Sequence, residues 1–264
     1  MYRFLLSWRW LGAFLLALAV AAGCVLLGHW QWDRREQRLA RNALVENNYD
    51  RSPVDLKQVL EAGHLPATRE WTPVKLSGSY LSAHSVLLRN RPQDGQPGYH
   101  SLVPFATDDG QVLLVDRGWL PIGESGQGPD VVPRPPAGHV ELVVRLRPPE
   151  PSSTQRAPAG QLQRIIPAAV ALPAPARSGL VKDAYGVLAS EHPAPRTAPE
   201  PLPEPALDEG PHLSYALQWC VFALGALVGF VVIVRRTAQE DGEEAATAEG
   251  VPAPAPERPR RQRR

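Results

Sequence analysis

Cysteine and lysine are scarce in this chain of 264 residues. Cys24 and Cys220 both lie inside apolar segments, which excludes a disulfide-stapled secreted scaffold and any CxxC metal or redox motif. Arginine supplies nearly all of the positive charge, and the formal net charge is only +1. We expect no nucleic-acid partner, because the chain has no global field that would attract one. The length suits one domain with attachments.

Sequence motifs of catalysis are also missing. The chain contains no HExxH, no GxSxG, no Walker loop and no GxGxxG between a strand and a helix. The histidines of the middle of the chain have no spacing typical of metal ligands: His64, His84, His100, His139 and His192. We interpret each as a surface or loop residue and predict that the protein is not an enzyme.

Charged residues are absent from two long segments. Trp10 to Trp32 and Leu213 to Val234 contain no Asp, Glu, Lys or Arg. A helix of roughly 20 apolar residues can cross a bilayer, and the first segment is apolar on every side, unlike a core helix. We predict transmembrane helices over residues 10–32 and 212–234.

The first apolar segment has two alternative interpretations. Ala21–Cys24 faintly resembles a lipoprotein cleavage box, but the apolar run continues past Cys24 and exceeds the roughly 7–15 residues of a secretory signal core. A mitochondrial presequence has no room before Trp10. We therefore expect a retained helix and a multi-pass protein of a bacterial inner (plasma) membrane.

Basic residues predict the orientation in the membrane. Arg235 and Arg236 directly follow the second span, which favours a cytoplasmic C-terminus. The first span conflicts, because four arginines follow it between residues 34 and 41 and only two precede it. We give the second span more weight and predict that both termini, including residues 1–9, are cytoplasmic.

Residues 33–211, between the spans, contain most of the strand signals. Residues 33–47 are expected to prolong the first helix, and Val54–Glu61 to form a short helix capped by Ser52. Apolar alternation and bounding turns predict five strands: Trp71–Leu81, Val86–Arg89, Tyr99–Thr107, Gln111–Leu120 and His139–Leu146. The predicted fold class is a membrane protein with two transmembrane helices flanking a mainly antiparallel β (α+β) extracytoplasmic domain.

Proline-rich connections interrupt this domain. Residues 123–138 and 148–211 are predicted to be loops or extended linkers, apart from two candidate strands at Leu162–Ile166 and Tyr185–Ala189. Residues 235–264 are acidic, then rich in Pro and Ala, then basic, and are predicted to form a disordered cytoplasmic tail.

One face of the second span combines aromatic and polar residues. His212, Tyr215 and Trp219 recur at helical spacing with Gln218 beside them, and the first span ends in His29-Trp30-Gln31-Trp32. Two interpretations remain open: an aromatic belt at the headgroups, or a haem-type site, because imidazole is a strong axial ligand for haem iron. Deeper in the span, Gly225-x-x-x-Gly229 predicts helix pairing, within the protein or with a partner.

Short motifs occur in a fixed order along the chain. They are Gly28-x-Trp30-Gln31-x-x-Arg34, then Trp71…Gly78-x-Tyr80, Val86-Leu87-Leu88-Arg89-Asn90-Arg91, Gly98-Tyr99-His100, Val115-Asp116-Arg117-Gly118-Trp119-Leu120-Pro121, and Gly210-Pro211-His212-Leu213-x-Tyr215-Ala216-x-Gln218-Trp219. This ordered set between two terminal spans resembles the Surfeit locus protein 1 (Surf/Shy) family of cytochrome c oxidase assembly factors. The Pro-rich insertions and the charged tail depart from the family's compact members.

The resemblance implies a non-enzymatic factor that assists insertion of haem a into the catalytic subunit of a haem–copper cytochrome c oxidase. Its implied partners are that subunit, the haem a synthesis machinery and membrane lipid. His212 is the implied ligand of the haem iron, and Arg34 is available to a haem propionate through charge-assisted hydrogen bonds. The implied cofactor-binding residues are His212, Tyr215, Gln218, Trp219, Trp30, Gln31 and Arg34.

Motif residues of the β domain have structural interpretations as well. Gly78 and Gly118 are predicted to be backbone requirements of strands and turns. Arg91, Asp116 and Arg117 either form stabilising ion pairs or meet a partner.

Two other functions compete with a haem chaperone. One is a scaffold that holds early oxidase subunits together without touching haem, through the GxxxG face and the β domain. The other is an extracytoplasmic enzyme or sensor.

Overall fold

The computed structural model describes residues 6–249, with side chains through residue 241. It contains two compact units. One comprises the chain up to Leu39 together with the chain from Glu209, and the other is Ala40–Asp208. Residues 1–5 of the predicted cytoplasmic N-terminus and residues 250–264 of the predicted tail lie outside the described residues.

Two long helices account for the apolar segments: α1, Trp8–Asn48, and α4, His212–Glu249. α1 continues past the apolar segment through the charged residues, as predicted. Both helices are long and apolar enough to cross a membrane, and only 17% and 11% of their most apolar windows are buried. Apolar side chains without protein partners are costly in water, so this exposure is typical of helices that lie in lipid.

The prediction of disorder from Arg235 is wrong for the part that the structure describes. α4 runs without a break to Glu249. Ala, Glu, Gln and Arg dominate this stretch, and all four are strong helix formers. A polar composition argues against a packed core, but it does not prevent an existing helix from continuing into water.

Eight strands form one mixed sheet in the second unit. Their bounds are β1 Val54–Asp55, β2 Pro73–Tyr80, β3 Val86–Leu88, β4 Gly98–Thr107, β5 Val112–Pro121, β6 Val140–Arg147, β7 Gln161–Leu162 and β8 Leu180–His192. The order is β1-β2-β6-β8-β5-β4-β3-β7, with an additional pairing of β2 with β4. Two short helices, α2 Leu56–Val59 and α3 Ala174–Ser178, lie between strands. The chain is thus a mainly antiparallel β domain between two long helices, as predicted.

The pairing of β2 with β4 closes five strands into a ring. β2 also pairs with β6, β6 with β8, β8 with β5, and β5 with β4, and only the β5–β8 pair in this ring is parallel. A closed ring leaves no unpaired edge among these strands.

Two hydrophobic clusters lie on either side of the ring wall. The larger cluster includes Phe105, Leu113, Leu142 and Val144 and is completed by α2. The second cluster includes Leu102, Leu114 and Tyr185 and is covered by the Pro-rich chain around Ile165 and Val170. Because one cluster lies on each side of the wall, both faces of β4 and β5 are buried. A strand that is buried on both faces favours a continuous apolar run, and the sequences of β4 and β5 have such runs.

Two expectations for this unit need correction. The helix predicted over Val54–Glu61 shortens to α2, because Val54 and Asp55 instead pair in parallel with β2, and no side chain caps the helix. The segment 148–211 contains the 13-residue strand β8, of which only Tyr185–Ala189 was a candidate. β8 has no clean alternation because Ala184 and Tyr185 belong to clusters on opposite sides of the wall.

Gly78 lies at the seam where the ring closes. It pairs with Thr107 of β4 and with Val140 of β6. A β-carbon there would lie 2.0 Å from the carbonyl oxygen of Ala106, a distance that no side chain tolerates. The predicted backbone role of Gly78 is confirmed.

A buried ion pair connects the neighbouring strands β5 and β8. The Arg117 Nη2 donates to Glu191 Oε1 at 2.6 Å, and the Tyr80 hydroxyl donates to Glu191 Oε2 at 2.8 Å. The Arg117 side chain is fully buried. Burial, and then the neighbouring Glu191 carboxylate, raise the pKa of the Tyr80 hydroxyl far above its ordinary value. The phenol must therefore stay protonated in the folded domain.

We expect Gly78→Ala to lower the free energy of unfolding by about 2 kcal/mol or more, because strands β2 and β4 must separate to admit the methyl group. Guanidinium unfolding of the detergent-purified protein measures this. Gly128→Ala is the matched control, since a β-carbon at Gly128 meets no described atom within 4 Å, and it should change stability by less than about 0.5 kcal/mol. Equal stability of the two variants would show that the ring does not require a glycine at position 78.

We expect the domain to lose stability as pH rises above about 10. The pKa of Tyr80 is raised in the folded state, so its contribution is fully present below the unfolded-state pKa and is lost above it. The loss approaches about 1.4 kcal/mol per pH unit for each such tyrosine. Unfolding at several alkaline pH values tests this, and Tyr80→Phe should reduce the slope. An unchanged slope in that variant would assign the effect to other groups.

Candidate functional site

Small residues bring α1 and α4 into close contact. A β-carbon at Gly28 would lie 3.5 Å from the Ala216 carbonyl oxygen and 3.5 Å from the Trp219 Cβ. Cys24 of α1 packs in one buried cluster with Ala223 of α4. Small side chains let helix backbones approach closely, as is common between membrane helices.

One hydrogen bond connects the two helices beside this contact. His212, the first residue of α4, and Gln31 of α1 are both half-buried, and His212 Nδ1 lies 2.9 Å from Gln31 Oε1. An amide oxygen can only accept, so Nδ1 carries the ring proton and donates it. No other hydrogen bond of His212 occurs within the described part of the chain, so no described residue engages Nε2.

This arrangement is the one that protein metal sites use for an imidazole ligand. A ligating histidine donates its second ring N–H to an oxygen, which fixes both its tautomer and its ring orientation. Trp219 follows His212 by seven residues, so both lie on one face of α4. The residues present thus fit a flat aromatic group with a metal centre, such as haem.

The remaining predicted site residues surround this contact without joining it. Trp30 and Arg34 contact each other, with the Arg34 Cζ 5.5 Å from the Trp30 ring centroid, and both are exposed. Tyr215 is 46% exposed, and Gln218 is also exposed. The structure therefore brings His212, Gln31 and Trp219 to the helix contact and leaves the other four on the outer surface around it.

An ion pair that sequence reasoning missed lies next to the hydrogen bond. The Arg35 Nη2 donates to Glu209 Oε2 at 2.8 Å, and the Arg35 side chain is only 20% exposed. Arg35 follows Gln31 by one helical turn, and Glu209 precedes His212 by three residues. Both residues of the ion pair are thus about one helical turn away from the hydrogen-bonded residues, and this spacing was the sequence signal that could have predicted the ion pair. The ion pair joins α1 to the chain that enters α4.

The GxxxG residues do not form this helix contact. A β-carbon at Gly225 or Gly229 would meet no described atom within 4 Å, and the same is true of Gly23. Of the two free cysteines, Cys24 is buried and Cys220 is exposed. Pairing within the chain uses Gly28, not the GxxxG face.

Three residues of the β domain have the composition of a catalytic triad but not its geometry. His139 Nε2 lies 3.1 Å from Ser77 Oγ and 3.0 Å from Asp108 Oδ2. Hydrogen bonds from His139 and Ser77 hold the pKa of Asp108 below its ordinary value. A triad needs the two ring nitrogens on opposite partners, and here one nitrogen serves both. The cluster cannot relay a proton from serine to aspartate.

The motif residues that sequence reasoning left between two roles are engaged within the β domain. The Arg91 Nη2 donates to both Glu150 oxygens at 2.7 and 2.6 Å. The buried Asp116 carboxylate is 2.7 Å from His100 Nδ1 and also accepts from the Gly118 amide. The ion-pair interpretation therefore holds for Arg91 and Arg117, whereas Asp116 is hydrogen-bonded to His100 and not paired with Arg117.

Comparison with known proteins gives a consistent result. The family model described as the SURF1 family matches residues 18–224. An uncharacterised SURF1-like protein of Mycobacterium bovis is 30% identical over 230 residues, which cover 86% of this chain and 83% of that protein. A SURF1-like protein of Rickettsia conorii is 22% identical over 80% of this chain and 87% of its own length. The cytochrome oxidase assembly protein SHY1 of Saccharomyces cerevisiae is 28% identical over 47% of this chain and 33% of the yeast protein.

The family match begins within α1, spans the whole β domain and ends within α4, so that it includes both sides of the His212–Gln31 contact. The predicted resemblance is confirmed, and the chain belongs to the SURF1 family.

Proposed function

We propose that this protein is an assembly factor for a haem–copper cytochrome c oxidase, and that it binds haem a and assists its insertion into the catalytic subunit. Membership of the SURF1 family and the name of the yeast relative support a role in oxidase assembly. The hydrogen bond between His212 Nδ1 and Gln31 Oε1 supports the haem role, because it prepares Nε2 as an axial ligand.

Each residue of the site has a distinct part in this proposal. Haem a, when bound, would supply an iron centre for a nitrogen ligand and propionates for a positive charge. His212 provides the ligand nitrogen, and Gln31 holds its ring in one orientation. Trp219 offers an aromatic surface, with Trp30, Tyr215 and Gln218 around it. Arg34 carries the charge for a propionate.

The two apolar helices support the membrane placement that we propose. α1 and α4 cross the bacterial plasma membrane, with both termini cytoplasmic and the β domain outside. Arg235 and Arg236 after the second span favour this orientation. The arginines after the first span are the opposing signal, and Arg35 among them has an acidic partner in Glu209. The site then lies at the outer end of both spans.

This function is one of binding and transfer, not of catalysis. The ligand, its orienting amide and the aromatic residues provide affinity and geometry, and none of them acts as a nucleophile or a general base. The partners are the oxidase catalytic subunit, the haem a synthesis machinery and membrane lipid.

A membrane scaffold that binds no haem is the second candidate. A β-carbon added at Gly225, at Gly229 or at Gly23 of the first helix would meet no described atom within 4 Å. Such a face can accept a transmembrane helix of an oxidase subunit. It would hold an assembly intermediate together without using His212.

We expect the detergent-purified protein, co-expressed with haem a synthesis enzymes, to carry a haem a absorption spectrum that His212→Ala diminishes at least tenfold. Loss of an axial ligand removes the bond on which retention depends. His29→Ala is the matched control: His29 lies at the same end of the first span, but it is exposed and pairs with Asp33. Its spectrum should equal that of the wild type.

A colourless wild type whose deletion still abolishes oxidase assembly would favour the scaffold. Normal oxidase levels in a deletion strain would remove both candidates.

We expect Gln31→Leu to weaken haem a binding by about 10–100-fold while leaving the helix contact in place, because the hydrogen bond that fixes a ligand affects affinity on that scale. Titration of haem into purified apoprotein measures the change. Asn47→Leu, on the same helix and, among the described residues, hydrogen-bonded only to the Ala43 carbonyl oxygen, should have no effect. Equal affinities of the two variants would show that Gln31 does not orient the ligand.

A further inference from the structure

A cavity lies entirely within the β domain. It has a volume of about 620 Å³, which suits a small organic ligand. Its lining includes Tyr49, Trp71, Arg91, His100, Arg145 and Arg147. The haem proposal uses none of these residues.

Two arginines of the lining are held in fixed positions by aromatic rings. The Arg145 Cζ lies 3.6 Å from the Tyr49 ring centroid, and the Arg147 Cζ lies 4.0 Å from the Trp71 ring centroid. The two rings also contact each other, at 5.7 Å. Both guanidinium groups therefore lie over one aromatic pair, and little side-chain entropy remains to be lost when they bind a ligand.

The terminal nitrogens of these arginines remain available. The Arg145 Nε donates to the Tyr49 carbonyl oxygen, and the Arg147 Nε lies 2.8 Å from Glu70 Oε1. Among the described residues, no hydrogen bond uses the Nη atoms of either arginine. The closest acid to the Arg145 Nη2 is Asp50 at 3.9 Å, and Asp50 is 91% exposed, so that this pair contributes little.

Two further polar groups line the same cavity. Tyr185 of β8 is the strand partner of Arg147. Its side chain is buried, and its hydroxyl makes no hydrogen bond within the described part of the chain. His100 uses Nδ1 for Asp116, which leaves Nε2 free.

Two of the three acidic residues of the lining have other partners, and the third, Glu204, is exposed to solvent. Asp116 is engaged by His100 and the Gly118 amide. Glu150 is engaged by Arg91 and the Ile165 amide. Arg145 and Arg147 are alternate residues of one strand, so they project from the same face. Glu70 pairs with the Nε side of Arg147, whereas Arg145 has only the exposed Asp50 nearby, so the Nη atoms of both can still bind an anion.

We infer that this cavity binds a small organic ligand that carries a carboxylate or phosphate group next to an apolar or aromatic body. The Nη atoms of Arg145 and Arg147 bind the oxyanion, since guanidinium groups match the geometry of carboxylate and phosphate oxygens. The Tyr185 hydroxyl donates a further hydrogen bond. Ile165, Val187 and Leu188 line the apolar part.

Calorimetric titration of the full-length protein in neutral detergent tests the inference. The probes are phenyl phosphate, benzoate and inorganic phosphate, with benzyl alcohol as the uncharged analogue. We expect phenyl phosphate to bind most tightly and benzyl alcohol to give no saturable heat. Dihexanoyl phosphatidylglycerol distinguishes the source of the anion. If it displaces phenyl phosphate at a concentration below that of phenyl phosphate, the natural ligand is a lipid headgroup. If it displaces phenyl phosphate only at a higher concentration, the natural ligand is a soluble molecule.

Matched variants assign the binding to this cavity. Arg145→Gln and Tyr185→Phe should each weaken phenyl phosphate binding by about tenfold or more, because each removes a hydrogen bond to a charged group. Arg177→Gln and Tyr99→Phe, outside the cavity, should leave it unchanged. Tyr185→Phe keeps the buried ring, so it remains informative if Arg145→Gln destabilises the domain.

Two results would overturn the inference. One is the absence of saturable binding of every anionic probe at millimolar concentration and low salt. The other is binding that Arg145→Gln and Tyr185→Phe do not weaken, which would make it a surface effect. Neither result bears on His212, and His212→Ala should bind the probes as the wild type does.

Discussion

The proposed haem site depends on the hydrogen bond between His212 and Gln31. An imidazole is a selective metal ligand only when its tautomer and ring orientation are fixed, and here an amide on the neighbouring helix fixes both. The bond requires α1 and α4 to approach closely, and Gly28 lies at that contact, where an added β-carbon would be in van der Waals contact with Ala216 and Trp219. Arg35 and Glu209 add an ion pair at the same place. Three residues of α1, together with Glu209 just before α4, thereby surround the position of the His212 ring.

The β domain achieves rigidity by other means. Its five-stranded ring has no free edge, and its wall is packed on both sides. A buried arginine is tolerated there because the Glu191 carboxylate pairs with it and the Pro133 carbonyl oxygen accepts from its Nη1, since an unpaired buried charge would be strongly destabilising. A rigid ring can carry binding groups on its outer surface, and the cavity at Arg145 and Arg147 lies there.

The sequence predicted those elements whose signals are local. Absence of charge indicated the two long helices, and alternation or turns indicated β2 to β6. β8 was largely missed because its two faces pack against different clusters, so that its residues do not alternate. The helical continuation to Glu249 was missed because polar composition was taken as disorder, although it says nothing about local helix propensity.

The candidate site could be predicted only in part. Helical spacing placed His212 and Trp219 on one face, and the family motif added Gln31. Spacing within a helix does not determine which face meets another helix, however, and therefore the exposure of Trp30, Arg34, Tyr215 and Gln218 was not foreseen. The acidic partner of Arg35 lies far away in sequence, and the cavity of the β domain depends on non-local strand pairing that no single segment reveals.

The tautomer of His212 tests the central claim most directly. Solid-state NMR of the protein with ¹⁵N-labelled histidine, in lipid at neutral pH, reports which ring nitrogen carries the proton, and a difference spectrum against His212→Ala assigns the signal. The proposed site requires a proton on Nδ1 and an unprotonated Nε2 in the wild type. In Gln31→Leu, the preference for the Nδ1-protonated tautomer should be lost. A protonated Nε2 in the wild type, or a preference that survives Gln31→Leu, would contradict the proposed site.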